Sequence, residues 1–511
     1  MENHLIRHLS ALFLVNKTPR RNGGSTKKKK NIFAYIWFDV EDYMTPEAND
    51  TPLQAARILQ KYKIPATYKL VAEKVRFLKE KKRQDVISAI KEYCDVGYHT
   101  DTHSRHPVVY EYISKMDVLQ GAKEIERREK SGVQEVARTF GRTPACFGHA
   151  GTQFAPHYYP FLKNAGIDVY LDATDIVNID DSPYWYCGVL CLNNTDRNYI
   201  RFDRTFEDPN GNQRILNRFK EIHARLQKNG GGAISVLWHP HTAINKEYWD
   251  ALNFVNGKNT PKGRYVLPEE QPPEIKKRAL EDFENLLRFM SSFDDVQFIT
   301  ATTARKVYPR KLELVLGIKE VRQIARHLSR SNGRFSYFKL GDEYISPAQA
   351  FSALTNFIAS YSKAKNRLPK RTLMNEPLGP MAPFRRSTAR TKNLPLADLL
   401  AASEKASRFM AEKGCMPSSV RIGNSAELAP SDFLATLSKL ALELIRGKKP
   451  IEIPLQRAKL ILEEKFVDSQ AFKRACQWKI LPKGFSAPKI LEQAKLQTWT
   501  LVPAVPRIKL K

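Results

Sequence analysis

The sequence predicts an α/β fold followed by a mostly helical, basic region. Strand-like runs alternate with helix-like runs from about residue 31 to residue 310. The strands read as continuously buried, the pattern of parallel βα units. After Pro309 the strand runs vanish, and helical patterns rich in Lys and Arg take over.

The first strand is Phe33-Ala34-Tyr35-Ile36-Trp37-Phe38, and it ends abruptly in the acids Asp39, Glu41 and Asp42. That is how a buried strand delivers carboxylates to the rim of a sheet or barrel. Thr51-Pro52 opens a helix, with Thr as the cap and Pro in the first turn. Leu53, Ala56 and Leu59 give that helix a buried face. Residues 64–71 read as strand two. A helix over 83–93 leads into Val96-Gly97-Tyr98-His99-Thr100-Asp101-Thr102-His103. A further helix covers 115–130, and 143–151 is a short strand and loop. Ala155-Pro156 opens a helix to Asn164, which Gly166 ends. Residues 167–172 form the next strand, and 175–230 read as a long irregular excursion. Gly232 to Trp238 is a second buried strand, and it delivers His239, followed by Pro240 and His241. A helix over 273–292 and a strand over 296–300 complete this part.

The basic region contains an internal repeat. GDEYISPAQAFSALTNFIA from Gly341 parallels GNSAELAPSDFLATLSKLA from Gly423. Each copy reads as a loop, a Ser-Pro or Ala-Pro helix start and an amphipathic helix, preceded by another helix. The expected organisation is a basic disordered tail over 1–30, a catalytic domain over 31–310, a first helical repeat with its linker over 311–392, a second over 393–480, and a loose basic tail over 481–511.

The net charge of +29 is unevenly spread. The first 30 residues hold 8 Lys and Arg against 1 Asp and Glu, and residues 311–511 hold 36 against 16. The middle is left nearly neutral, at +2. Basic appendages favour polyanions such as nucleic acid, an anionic membrane or an acidic wall polymer. No run approaches the ~18 apolar residues of a membrane span. The apolar patch over 9–15 is short for a signal peptide and lacks a small-residue cleavage site, so the expected compartment is the cytoplasm. The six cysteines form no CxxC and no dense framework; free thiols are expected.

Two imidazoles four residues apart meet on one face of a helical turn, and neutral imidazole suits a divalent ion such as zinc. His99 and His103 are the candidate ligands. Residues i and i+2 of an extended segment point the same way, so Asp39 and Glu41 face one pocket. Two imidazoles and a carboxylate leave positions open for water and a carbonyl. His239, with a reference pKa near neutrality, suits a general acid. Trp185, Trp238 and Trp249 are candidate apolar walls for a sugar, although core packing is the stronger expectation for Trp238; His149, Trp238 and His241 are the candidate substrate-binding residues.

At these residues the chain resembles the polysaccharide deacetylase family, also called NodB-homology or carbohydrate esterase family 4. Asp39-Val40-Glu41 with Asp42, His99 with His103, and Leu237-Trp238-His239 match its motifs in order, over roughly residues 31–310. The resemblance implies a distorted, incomplete (β/α)7 barrel with the site at the strand C-termini. It implies Asp39 as general base and the second acid as metal ligand, here Glu41, with Asp42 its rival because the family more often has adjacent acids. It implies a divalent cofactor, zinc, and an acetylated carbohydrate or other amide substrate. The family's third motif reads Arg-x-Pro, and its Arg steadies the catalytic Asp. Here Gly148 stands at that place, leaving His149 or a distant Arg to substitute. Asp172 and Asp175 sit where a fourth-motif acid would. The repeats, with EKGCMPSSVRIGNSAEL, resemble the pseudomurein-binding repeats of archaeal wall proteins. Three functions are consistent with this reading: an N-deacetylase, a cyclic amide or imide hydrolase of the same superfamily, and a polyanion- or wall-binding protein on an impaired barrel.

Overall fold

The computed structural model describes residues 31–507, except 174, 194–196, 385–386, 390–391 and 425. The basic tail expected over 1–30 lies outside the described residues. The organising element is β1 (Ile32–Val40), nine residues buried throughout. It pairs in parallel with β8 (Gly232–Trp238) from Ile32↔Gly232 to Phe38↔Trp238. Its other side is shared. Ile32–Ala34 pair with β9 (Val296–Phe298), and Trp37–Val40 pair with β2 (Thr67–Leu70). Parallel pairing continues from β2 to β3 (Asp95–Tyr98), and from β8 to β7 (Tyr199–Arg201). Single bridges at Tyr98↔Phe147 and Phe147↔Tyr170 join β3 to β4 (Val169–Ala173). Beyond it lie β6 (Val189–Asn193), β5 (Tyr184–Tyr186) and β10 (Val502–Pro503).

The strands read continuously apolar because helices cover the sheet. Among these are α1 (Asp50–Tyr62), α2 (Val118–Phe140), α3 (Gly211–Asn229) and α4 (Pro273–Ser291). A mixed α/β architecture around a parallel sheet is therefore present. Among the described residues no pairing joins β7 to β10, so the hydrogen-bonded ladder is open. Residues 175–230 are not irregular. They hold β5, β6, β7 and the 19-residue α3. Short strands of three residues leave too little periodicity to be read from sequence.

The C-terminal region contains α5 (Ile318–Ser329), α6 (Pro347–Lys363), α7 (Leu396–Lys413) and α8 (Pro430–Ile445). It is less purely helical than expected. A β-hairpin precedes α6 and another precedes α8. Outer strands Leu314–Leu316 and Thr372–Met374 pair around the first helix couple, and Asn393–Pro395 and Glu452–Pro454 pair around the second. Each helix couple thus has a hairpin between its helices and a strand pair at its flanks.

The expected loose tail over 481–511 is, as far as residue 507, packed structure. It holds α9 (Pro488–Gln497), buried Trp499 and Leu501, and β10, which adds to the main sheet against β5. Tyr186 Oη donates to Ala494 O at 2.7 Å, and Cys187 N to Thr500 Oγ1 at 2.8 Å. One hydrophobic cluster runs from Ile32 to Leu501, so the two regions share a core. All six cysteines are free, Cys187 and Cys191 included.

Candidate metal centre and active site

The carboxyl ends of the parallel strands converge on one cavity of about 760 Å³. Open parallel sheets bind ligands at that end because the helix-forming loops splay apart there. Asp39 comes from the last turn of the β1 pleat, and Glu41 follows it. His99 leaves β3, and His239 leaves β8.

The His pair does not sit on a helix. Thr100 and His103 both adopt left-handed backbone, with φ of 64° and 58°. This tight loop brings the two rings within 5.2 Å of each other, centroid to centroid. His103 N donates to Thr100 Oγ1 at 3.1 Å, which holds the turn. His99 Nδ1 lies 3.0 Å from Gly148 O, and His103 Nδ1 lies 2.6 Å from Ser104 Oγ. Ser104 donates onward to Asp250 Oδ2 at 2.7 Å. With both Nδ1 atoms engaged, the Nε2 atoms are aimed at Glu41 Oε2, at 3.5 Å from His99 and 2.9 Å from His103. Such outer contacts fix tautomer and ring direction in metal sites. The ligand atoms of Glu41, His99 and His103 all lie within 4.8 Å of one another, and all three residues are buried. That donor set, two imidazoles and one carboxylate with an open side, fits a divalent ion such as zinc.

Asp42, the rival acid, is committed elsewhere. Its Oδ1 accepts from Met44 N at 2.8 Å and Thr45 N at 3.1 Å, and its Oδ2 accepts from Asn245 Nδ2 at 2.7 Å. Alternation along extended backbone turns residue 42 away from 39 and 41.

Asp39 lies beside the cluster, its Oδ2 at 3.9 Å from His99 Nε2 and 3.5 Å from His239 Nε2. Its Oδ1 pairs with Lys69 Nζ at 2.9 Å. Lys69 is fully buried, and its Nζ also stands 4.1 Å over the Trp37 ring. Two glycines make room for this side chain. A Cβ at Gly148 would fall 2.1 Å from Lys69 Nζ, and one at Gly97 3.0 Å from Lys69 Cγ. The cation beside Asp39 therefore comes from β2, and neither His149 nor a distant Arg supplies it. Burial works against the Asp39 charge, but His99, Lys69 and His239 outweigh it and hold the carboxyl below its ordinary range. Burial likewise opposes the Glu41 charge, and His103 and His239 overcome it, keeping its pKa well below normal.

His239 is held by a residue the sequence reading missed. Asp203, just past β7, accepts from His239 Nδ1 at 2.7 Å and from its backbone N at 2.7 Å. Arg201 and Tyr248 reach the same carboxylate at 2.7 and 3.1 Å. Burial would lower the His239 pKa, but the Asp203 charge raises it to about 9. Its Nε2 is thereby a protonated donor facing Asp39.

The remaining expected residues divide. His149 lines the cavity, with Nδ1 at 2.7 Å from Tyr170 Oη, and burial keeps it neutral. His241 is buried behind Glu41, 3.8 Å from Oε1, and burial lowers its pKa to about 4. Trp238 is not a substrate wall. It packs among Phe38, Phe202, Phe206 and Phe283, because alternation along β8 gives the cavity to Leu237 and the core to residue 238. Trp249 is buried and its Nε1 donates to Glu41 Oε1 at 3.4 Å. Trp185 packs in the core beside β10. Asp175 lines the cavity, whereas the Asp172 side chain lies outside what is described.

No protein-family model matches the chain, and no curated protein matches it. Solved structures do. A "probable Polysaccharide deacetylase" from Pseudomonas aeruginosa PAO1 is 13% identical, covers 55% of this chain and 93% of its own, with a TM-score of 0.37. Puue allantoinase is 13% identical over 58% of this chain and 100% of its own, with a TM-score of 0.37. The peptidoglycan deacetylase PdaC of Bacillus subtilis is 13% identical over 54% and 91%, with a TM-score of 0.28. At these values the matches record a similarity and assign no activity to this chain.

Proposed function

We propose that the chain is a metal-dependent hydrolase of non-peptide carbon–nitrogen amide bonds, acting as an N-deacetylase on an acetylated amino sugar. The observation that supports this best is the meeting of the Glu41–His99–His103 cluster with Asp39 and His239 in one cavity. Glu41, His99 and His103 would hold the divalent ion, zinc by donor type. When bound, such an ion lowers the pKa of water and polarises a carbonyl.

The chain's own groups divide the proton work. Asp39 Oδ2 faces the cluster and takes the proton of the attacking water. Lys69, on Oδ1, keeps the carboxylate charged and fixes its direction. His239 Nε2 gives its proton to the departing amine, while Asp203 on Nδ1 steadies the imidazolium. Water and amide are thus converted to acetate and amine, with one proton taken by the base and one given by the acid.

The test pairs metal analysis with product release. The full chain is expected to bind one zinc, to lose it in the His99→Ala/His103→Ala variant, and to release acetate from N-acetylglucosamine oligomers. Activity that survives complete chelation would overturn the reading. Turnover of cyclic imides without acetate release from the sugars would move it to the other branch of the superfamily.

A further inference from the structure

The active-site cavity is finished by the far end of the chain. Trp478, Lys479 and Ile480 line it together with the metal-centre residues. This wall is stitched to the main sheet region at several points. Val467 bridges Val177, Asp468 N donates to Ile176 O at 2.9 Å, and Thr152 Oγ1 donates to Ala475 O at 2.8 Å. Asn256 N and Gly257 N donate to the carbonyls of Lys479 and Ile480 at 2.9 and 3.0 Å. The Trp478 ring stands edge-on to His103, 6.0 Å between centroids. A Cβ at Gly151 would lie 2.4 Å from that ring, and Gly151 has a φ of 55°. The place of Trp478 is thus built into both partners.

A second cavity of about 810 Å³ has Trp478 and Lys479 in its lining, as the first has. Its floor is apolar, with Phe472 and Phe485, and Lys473, Lys479 and Lys483 stand exposed around it. None of these lysines is in an ion pair among the described residues. Apart from the shared Lys479, the cations of the first cavity differ. Arg201, Arg204 and Lys246 are each paired, with Asp203, Glu207 and Glu269. Uncompensated positive charge therefore collects past Trp478, on one side of the metal centre.

We infer that the substrate extends from the metal centre past Trp478 into the second cavity, and that it bears an anionic substituent there, held by Lys473, Lys479 and Lys483. The substrate class is an N-acetylated amino sugar with a phosphate or carboxylate group, its ring packed on the indole. This rests on the amide-hydrolase reading and narrows it.

The test is equilibrium binding to the full chain, zinc-loaded, with Asp39→Asn to stop turnover. The probes are N-acetylglucosamine 1-phosphate, N-acetylmuramic acid and neutral N-acetylglucosamine. Either anion is expected to bind about tenfold or more tightly than the neutral sugar, and the stronger of the two names the source. The preference should fall with salt and vanish in Lys473→Glu/Lys479→Glu/Lys483→Glu, whose exposed positions leave the fold intact. In Trp478→Ala all three sugars should weaken together. Equal binding of neutral and anionic sugars, or a preference that survives the triple charge reversal, overturns the inference. Acetate release by the unmodified chain is read separately. Release without charge preference keeps the hydrolase and removes this inference; charge preference without release does the reverse.

Discussion

Lys69 has no counterpart in the motifs that led to the site. A lone Lys inside an apolar strand gives no signal, because its reach depends on glycines 97 and 148 from other elements. Replacing Lys69 with Met should lower kcat on the order of a hundredfold, with zinc content unchanged by metal analysis. Gly148→Ala should act in the same direction by displacing Nζ from Asp39. A drop in bound zinc equal to the drop in activity would show instead that Lys69 supports the metal cluster. His239 makes a second prediction. Its folded pKa of about 9 exceeds the ordinary value of about 6.5. The pairing with Asp203 therefore stabilises the fold fully below pH ~6.5, and that contribution is lost as pH rises through the folded pKa. The proton donor is lost over the same range, so kcat should fall on the alkaline side near pH 9. In Asp203→Asn the largest raising charge is gone while Glu41 and Asp39 remain against burial, and the alkaline limb should move to lower pH. An unmoved limb in the pH–rate profile would take His239 out of the acid role. Asp39, Glu41, His99 and His239 were legible because each sits next to a strand end, and His103 because it lies four residues from His99. Asp203 was not, since β7 is too short to announce itself.

At the scale of elements, spacing and conformation came apart. His99 and His103 meet as a helical pair would, yet a loop with two left-handed residues brings them together. Proximity was readable from the spacing, and the backbone was not. The long helices α2, α3 and α4 show 3.6-residue periodicity over enough turns to be seen, although α3 was hidden by the expectation of irregularity around it. Capping chemistry was readable at α6. Ser346 Oγ accepts from Gln349 N at 3.1 Å and Gln349 Oε1 accepts from Ser346 N at 3.2 Å. Ser346 also donates to Glu376 at 2.7 Å. Ser346→Ala should cost about 1–2 kcal/mol in chemical denaturation.

For the whole molecule, the boundary near residue 310 is a change of texture and not of core. Trp499 is fully buried, β10 borders β5, and the Arg310–Glu376 ion pair is buried at the junction. A fragment ending at residue 310 should therefore fail to give a cooperative melt by circular dichroism. Trp499→Ala in the full chain should lose ~3–5 kcal/mol. A well-folded fragment 31–310 would contradict both the shared core and the packed tail. The last point concerns β10 alone. Residues 502 and 503 leave the ribosome several hundred residues after the first strand of the sheet they border. Domains usually settle as they emerge during synthesis, but this sheet must wait with one margin bare until residue 503 has been made. A product terminated before residue 478 would thus lack both the Trp478 wall and the edge strand.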